Sequence, residues 1–193
     1  MGESELLEEF EARTGHFRFE SGHHGDLWLE LGALFADPAR AERLAGILTD
    51  RLGGRGIEVV CGPMTGGALL AQIVARHLAV TFAYTERIVD GDDVWYALPA
   101  AQHPLVAGAR VAIVDDVINA GSAVSGTFHE LVEVQARPVA IGALLVLGSA
   151  IDHFAEEYGL LLAACSRRES NLWSPVECPL CARGVPLEDL TDY

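Results

Sequence analysis

The chain has 193 residues, half of them hydrophobic, and carries 13 Lys and Arg against 28 Asp and Glu, a formal charge of −15. That length and apolar content can bury a full core in one domain, residues 1–193, and they exclude general disorder. The anionic balance excludes nucleic acid as an expected partner, because neutralising a phosphate backbone needs clustered cations.

The longest apolar runs, such as 141–147, are interrupted too soon to span a bilayer, so no membrane association is expected. The opening MGESELLEEFEA is acidic and amphipathic rather than basic and then apolar, which points to a cytoplasmic protein. Cysteines at 61, 165, 178 and 181 do not form a disulfide framework for a chain of this size and compartment.

In chain order, residues 4–12 suggest a short helix with Leu6, Leu7 and Phe10 on one face. The segment 15–35 alternates at Phe17/Phe19 and at Leu27/Leu29/Leu31, which reads as two antiparallel strands about Ser21-Gly22. Asp37-Pro38 opens a helix that runs to Leu52 and stops at Gly53-Gly54. A strand at 57–61, a loop at 62–67, a helix at 68–78 and a strand at 80–83 follow. The polar, acidic stretch 86–104 reads as a hairpin or a mobile flap. Further strands are expected at 111–114, 138–147 and 160–164, with helices at 123–135 and 151–157. The helix at 123–135 sets Val124, Phe128, Leu131 and Val132 on one side. Strands separated by helices favour an α/β fold with a mostly parallel sheet covered on both faces. Ligands bind such sheets outside the carboxyl ends of the strands. The rim so defined carries Cys61–Gly67, Tyr84–Arg87, Asp115–Ser122 and Gly148, and 15–35 is expected to cover part of it.

The organising stretch is VAIVDDVINAGS at 111–122. Four apolar residues end in adjacent carboxylates, Asp115 and Asp116, and a small-residue turn, Asn119-Ala120-Gly121-Ser122, leads into a helix. The carboxylates suit hydroxyls or a cation. The turn suits a phosphate, since the first amides of a helix lack intrahelical partners and lie at its positive end. The plain alternative is a pair of acids capping a turn. Gly62-Pro63-Met64-Thr65-Gly66-Gly67 is a second strand-to-helix loop, whose glycines permit positive φ or close ligand approach; alone it is compatible with a tight turn. Together the two sites suit a sugar with pyrophosphate at one end and phosphate at the other. The glycine loop meets the pyrophosphate, Asp115 and Asp116 accept from ribose hydroxyls, and Ser122 and nearby amides hold the phosphate. Mg²⁺ bridges pyrophosphate and sugar oxygens.

The 111–122 segment resembles the phosphoribosyl-diphosphate motif of type I phosphoribosyltransferases, and GHFRFESGHHGDLWLEL, VVCGPMTGGALLAQIVA and VTFAYTER are most similar to orotate phosphoribosyltransferases. The resemblance spans roughly 5–165. It implies a five-stranded mostly parallel sheet flanked by helices, with core at about 37–165. A small hood comes from about 14–35 and part of the tail 166–193. It also implies a homodimer and a small-molecule phosphosugar or nucleotide as ligand. The implied reaction displaces pyrophosphate from the anomeric carbon by a base nitrogen, through an oxocarbenium-like transition state, with phosphoribosyl diphosphate and Mg²⁺. The candidate catalytic residues are Asp115, Asp116 and Arg87.

Several positions depart from that pattern. Glu20 stands where orotate enzymes carry a lysine, and Thr85 and Glu86 where they carry an Arg-Lys pair. Residues 88–104 hold no Lys or Arg but do hold Asp90, Asp92 and Asp93, and Gly148 replaces an arginine that meets the orotate carboxylate. A non-catalytic nucleotide- or phosphosugar-binding regulatory protein on the same scaffold is therefore the alternative. Arg87 is a pyrophosphate contact or a surface arginine, and Arg167 and Arg168 either supply missing charge or form surface ion pairs. His23 and His24 face opposite ways if on a strand, so one can touch a ligand but both cannot share one metal. Trp28, Trp95 and Trp173 stack on a base or pack in the core. Cys178-Pro-Leu-Cys181 has the spacing of a structural Zn²⁺ site, but the rest of the tail has no histidine. Cys165 or a second copy's pair would have to complete it; a packed or redox-active cysteine pair is the other reading.

Overall fold

Asp37 caps the first long helix as its sequence demands, its carboxylate accepting from the amides of Ala39 (3.0 Å) and Arg40 (3.3 Å) with Pro38 next to it. The computed structural model describes residues 11–19, 21–30, 34–91 and 93–189. The helix expected over 4–12 lies outside these except for Glu11 and Ala12, which open a strand; Glu20, Leu31 and Asp92 also lie outside.

The chain starts with a hairpin, β1 (Glu11–Arg18) and β2 (His24–Glu30), followed by α1 (Pro38–Leu52). Next come β3 (Val59–Pro63), α2 (Gly66–Leu78), β4 (Thr81–Asp90), β5 (Asp93–Ala97) and the short α3 (His103–Val106). The second half runs β6 (Arg110–Ile118), α4 (Ser122–Glu133), β7 (Arg137–Leu147), α5 (Ala150–Glu157) and β8 (Leu161–Arg168). The tail adds β9 (Leu172–Trp173), α6 (Pro179–Ala182) and β10 (Glu188–Asp189), none of which its sequence announced.

The large sheet has the order β5-β4-β3-β6-β7-β8. Its five strands from β4 to β8 pair in parallel, as expected, and β5 is added antiparallel on the edge. Alternate residues serve two cores. Val60, Ala112, Val114 and Leu144 pack with Leu44, Leu48, Leu70 and Val74 of α1 and α2. Val59, Cys61, Ile113 and Ile141 pack with Val124, Phe128, Leu131 and Ile151 of α4 and α5. Strands buried on both faces explain the continuous apolar runs. Val132 does not join its three expected partners; it is 49% exposed, and buried Thr127 takes the fourth place on that face.

The other sheet, ordered β10-β1-β2-β9, draws two strands from the start of the chain and two from its end. Pairing along β1 and β2 runs from Thr14↔Leu27 to Phe17↔Gly25, three steps against two, so β1 carries a bulge at Gly15-His16. The bulge lets His16 and Phe17 be buried in succession.

Leu48 and Leu52 reach β7 at Gly142, where a Cβ would stand 3.3 Å from Leu48 Cδ1 and 3.2 Å from Leu52 Cδ1. Leu48→Ala is expected to lower the unfolding free energy by about 2–5 kcal/mol in urea titration, since the rigid sheet beneath cannot refill the void. A loss below about 1 kcal/mol would contradict this packing.

Candidate active site

The order of the large sheet reverses between its central strands. The chain moves outward from β3 to β4 and β5, then restarts on the other side of β3 with β6, β7 and β8. At such a switch point the helices depart to opposite faces and leave a crevice at the strands' carboxyl ends. The glycine loop and the paired acids flank that crevice.

Asp115 and Asp116 sit inside a strand rather than at its end. β6 continues past Val114 because the long β7 keeps pairing with it, through Asp115↔Ala143 and Val117↔Leu145 to Ile118↔Val146. The two side chains are only 8% and 9% exposed. Asp115 Oδ1 accepts from the Asp116 amide (3.1 Å), and Asp116 Oδ1 accepts from the Val117 amide (2.8 Å). Burial pushes both carboxyls above the ordinary carboxylate range; for Asp115, the more strongly raised, the adjacent Asp116 charge adds to it.

The glycines answer to these acids. β3 extends to Pro63 and α2 starts at Gly66, so the loop expected over 62–67 shrinks to Met64-Thr65, joined by a cis peptide bond. Gly62, Gly66 and Gly67 do not have positive φ. A Cβ on Gly66 would lie 2.0 Å from Asp116 Oδ2, one on Gly67 2.6 Å from Asp115 Oδ1, and one on Gly62 2.2 Å from the Gly67 carbonyl oxygen. The close approach expected of a ligand is here made by the carboxylates themselves. The Met64 amide donates to the Thr85 carbonyl (2.8 Å), while Thr65 is exposed at the helix start and makes no capping bond.

On the other side of the acids, Gly121 takes φ +80° and precedes α4, whose first amides receive no side-chain cap. Here positive φ is the reason for glycine. Asp115 and residues 117–123 line a cavity of about 250 Å³, closed by Phe19, Ser21 and Trp28 of the small sheet. Trp28 stacks on Phe19 with ring centroids 6.2 Å apart. A second cavity of about 660 Å³ shares Ser21, Ala120 and Ser122 and adds Arg87, Trp95, His23 and His129. A third, about 470 Å³, shares Asn119 and His23 and holds Gly148, Ser149, Glu169 and Glu177.

The stretch 86–104 resolves into the hairpin of its two expected forms. Tyr96 lies over Gly126 of α4, where a Cβ would meet its ring at 2.3 Å, and the Leu98 amide donates to Glu130 Oε1 (2.8 Å). Thr85 turns inward and shares a 2.7 Å hydrogen bond with Thr127, whereas Arg87 faces the second cavity. Arg167 holds Asp152 through two bonds of 2.8 and 3.0 Å, the surface-pair alternative, and Arg168 lines a separate cleft with Asp26. Trp95 borders the second cavity at 45% exposure, and Trp173 pairs by its backbone with His24.

Burial pushes the Cys61 thiol up to about 12 and the Cys165 thiol to about 11, so neither is poised as a nucleophile. Cys165 packs in the core and does not complete the cysteine pair of the tail. Cys178 and Cys181 instead meet His24 and His16. His16 had no sequence signal; its partner pair lies more than 160 residues away, at a separation of 162 to Cys178.

The family model for the phosphoribosyl transferase domain matches residues 30–158, well over half of the chain. The chain belongs to the phosphoribosyltransferase family. It is 30% identical over 186 residues to an orotate phosphoribosyltransferase of Caldanaerobacter subterraneus, covering 95% of this chain and 92% of that one. It is 28% identical over 189 residues to that of Thermotoga maritima, covering 95% and 94%. In fold it is similar to an orotate phosphoribosyltransferase from Aeropyrum pernix (TM-score 0.69, 20% identity, 86% of this chain and 93% of that chain). It is equally similar to an adenine phosphoribosyltransferase from Thermoanaerobacter pseudethanolicus (TM-score 0.68, 17% identity, 86% and 99%). Phosphoribosyltransferases are glycosyltransferases, and the crevice at β3 and β6 is where this one's sequence motifs converge.

The raised Asp115 carboxyl has a stability consequence. Its folded-state value lies above the unfolded one, so folding is penalised once pH exceeds the unfolded value of about 3.9, and the penalty grows until the folded value is passed. Asp115→Asn removes that penalty while keeping an oxygen acceptor. Its urea midpoint is expected to exceed that of the parent phosphoribosyltransferase at pH 8, with the two converging near about pH 4. A variant less stable at pH 8 would show that the carboxylate is not strained by burial.

Proposed function

We propose that the chain transfers the 5-phosphoribosyl group of phosphoribosyl diphosphate to a nucleobase nitrogen, in a Mg²⁺-dependent reaction, with orotate as the first acceptor to consider from its relatives. The observation that carries this reading is the buried Asp115–Asp116 pair set between two helix starts on one rim. In this reading Asp115 and Asp116 accept from the ribose hydroxyls, and the 119–122 turn with Ser122 receives the 5-phosphate at the positive end of α4. Residues 62–67 and Arg87 face the pyrophosphate. The two carboxyls accept from backbone amides and bond each other, and their remaining lone pairs fit hydroxyls and a hard divalent cation. When bound, Mg²⁺ neutralises part of the charge that gathers on the departing pyrophosphate. The Phe19–Trp28 stack excludes water from the carboxylate side of the sugar.

A specific observation favours a second reading of the acceptor. Among the described residues, the cavity beside Gly148 is lined by Glu169 and Glu177 and by neither Lys nor Arg. Two carboxylates repel a carboxylated base and suit an uncharged one that donates N–H groups. The chain is also read as a cytoplasmic homodimer, supported by the exposed Met64 and Leu69 beside the rim; no helix among the described residues is long and apolar enough to cross a membrane. Sedimentation of the purified chain measures the dimer.

Pyrophosphate release from phosphoribosyl diphosphate and Mg²⁺, assayed against orotate and uncharged pyrimidines and purines, tests the function. Turnover with at least one base is expected, with Asp116→Asn losing about 10²-fold or more in kcat/KM and chelation of Mg²⁺ abolishing it. Calorimetric binding without release for any base would favour the non-catalytic alternative. Absence of both binding and turnover would end the proposal.

A further inference from the structure

The tail's cysteine pair and two hood histidines converge outside the crevice just described. Cys178 immediately precedes α6 and Cys181 lies within it, His16 sits on the β1 bulge, and His24 opens β2. One ligand atom from each lies within 4.8 Å of all the others. The edges are 3.3 Å from His16 Nε2 to His24 Nδ1, 3.3 Å from Cys178 Sγ to His16 Nε2, and 3.2 and 3.7 Å from Cys181 Sγ to His24 Nδ1 and His16 Nε2. Zinc–nitrogen and zinc–sulfur bonds set tetrahedrally about one ion require edges of about 3.3 Å for N–N and about 3.6 Å for N–S. These four edges lie within about 0.4 Å of those spacings. They are also oriented: His16 Nδ1 bonds the Val185 carbonyl at 2.9 Å, which makes Nδ1 the protonated nitrogen and turns the Nε2 lone pair toward the cluster.

We propose that His16, His24, Cys178 and Cys181 form a tetrahedral Cys2His2 site for a structural Zn²⁺, which ties the tail to the small sheet over the active-site rim. Four protein ligands leave no open position, so the ion has no catalytic part. Two thiols give up their protons on binding, and two thiolates with two neutral imidazoles balance the ion's charge; the cluster is then neutral where three of its four residues are buried. The neighbours of the cluster point the same way. β10 pairs with β1 at Phe17↔Glu188 and Arg18↔Asp189, β9 pairs with β2 at His24↔Trp173, and Arg13 and Arg18 reach Glu188 and Asp189 at 2.7 and 3.1 Å. These exposed ion pairs add little on their own. Two-residue strands and a four-residue helix cannot hold a tail in place without a cross-link. The ion supplies one. His23, next to His24, faces both the second and third cavities, so fixing His24 also fixes a wall of the active site.

Zinc content and Co²⁺ substitution of the full chain test the site. About one Zn²⁺ per chain is expected after purification, and Co²⁺ loading should give the thiolate charge-transfer band and intense d–d absorption of a tetrahedral site. Cys181→Ser and His24→Asn should each lower the metal content to less than about one tenth of an ion per chain, while Cys61→Ser keeps it. If the variants fail to fold, chelator titration of the parent chain reads the same site, with one Zn²⁺ released as two thiols become reactive. A parent chain that carries no zinc and takes up no Co²⁺ would overturn the proposal, and so would metal retained in full by both His16→Asn and His24→Asn. These measurements use no substrate, so their failure leaves the transferase reading standing.

Discussion

Two carboxylates buried next to one another cost free energy, and the architecture around the crevice exists to hold them there. Gly66 and Gly67 begin α2 without side chains because Asp116 and Asp115 fill the space where Cβ atoms would go. Gly62 lacks one because the helix start must come down on β3. The glycine motif and the acidic motif are thus one packed unit, contributed by strands that neighbour each other at the switch point of the sheet. Stability is given up locally to hold the pair, a trade common at functional sites.

The electrostatic setting follows from that choice. With a formal charge of −15, the chain as a whole repels a phosphorylated substrate. What offsets this locally is the backbone: helix starts at Gly66 and Ser122 present amides on both sides of the acids, and amides need no net charge. Arg87 adds one cation where the second cavity opens. The hairpin at β4–β5, seated on Gly126 through Tyr96, walls that cavity with Val94, Trp95 and Tyr96 beside Arg87. The cavity around Gly148 differs again, being lined by Glu169 and Glu177. The two sides of the rim therefore differ: backbone amides stand beside the acids, and carboxylates stand around Gly148.

The small sheet is built from opposite ends of the chain. β1 and β2 precede the first long helix, and β9 and β10 follow the last core strand. It brings Phe19, Ser21 and Trp28 over the cavity that Asp115 lines, and it also carries His16 and His24, which meet the cysteines of the tail. One bulge, at Gly15-His16, serves both ends: it keeps Phe17 in the sheet's core and turns His16 toward the tail.

Sequence alone determined the parallel sheet and its helices, because periodicity, the Asp37-Pro38 cap and the small-residue turns are local and speak of nearest neighbours. It also named the paired acids and the metal-type cysteine spacing. Four matters were left to tertiary structure: β6 running past its carboxylates, the glycines serving those carboxylates, the flap folding as a hairpin on α4, and His16 facing Cys178. Each depends on what another segment, tens to more than a hundred residues distant, places opposite. A strand's length is set by its partner strand and a glycine's purpose by the side chain that fills its space. A ligand set is fixed only where two ends of the chain meet, and no stretch of sequence carries that information by itself.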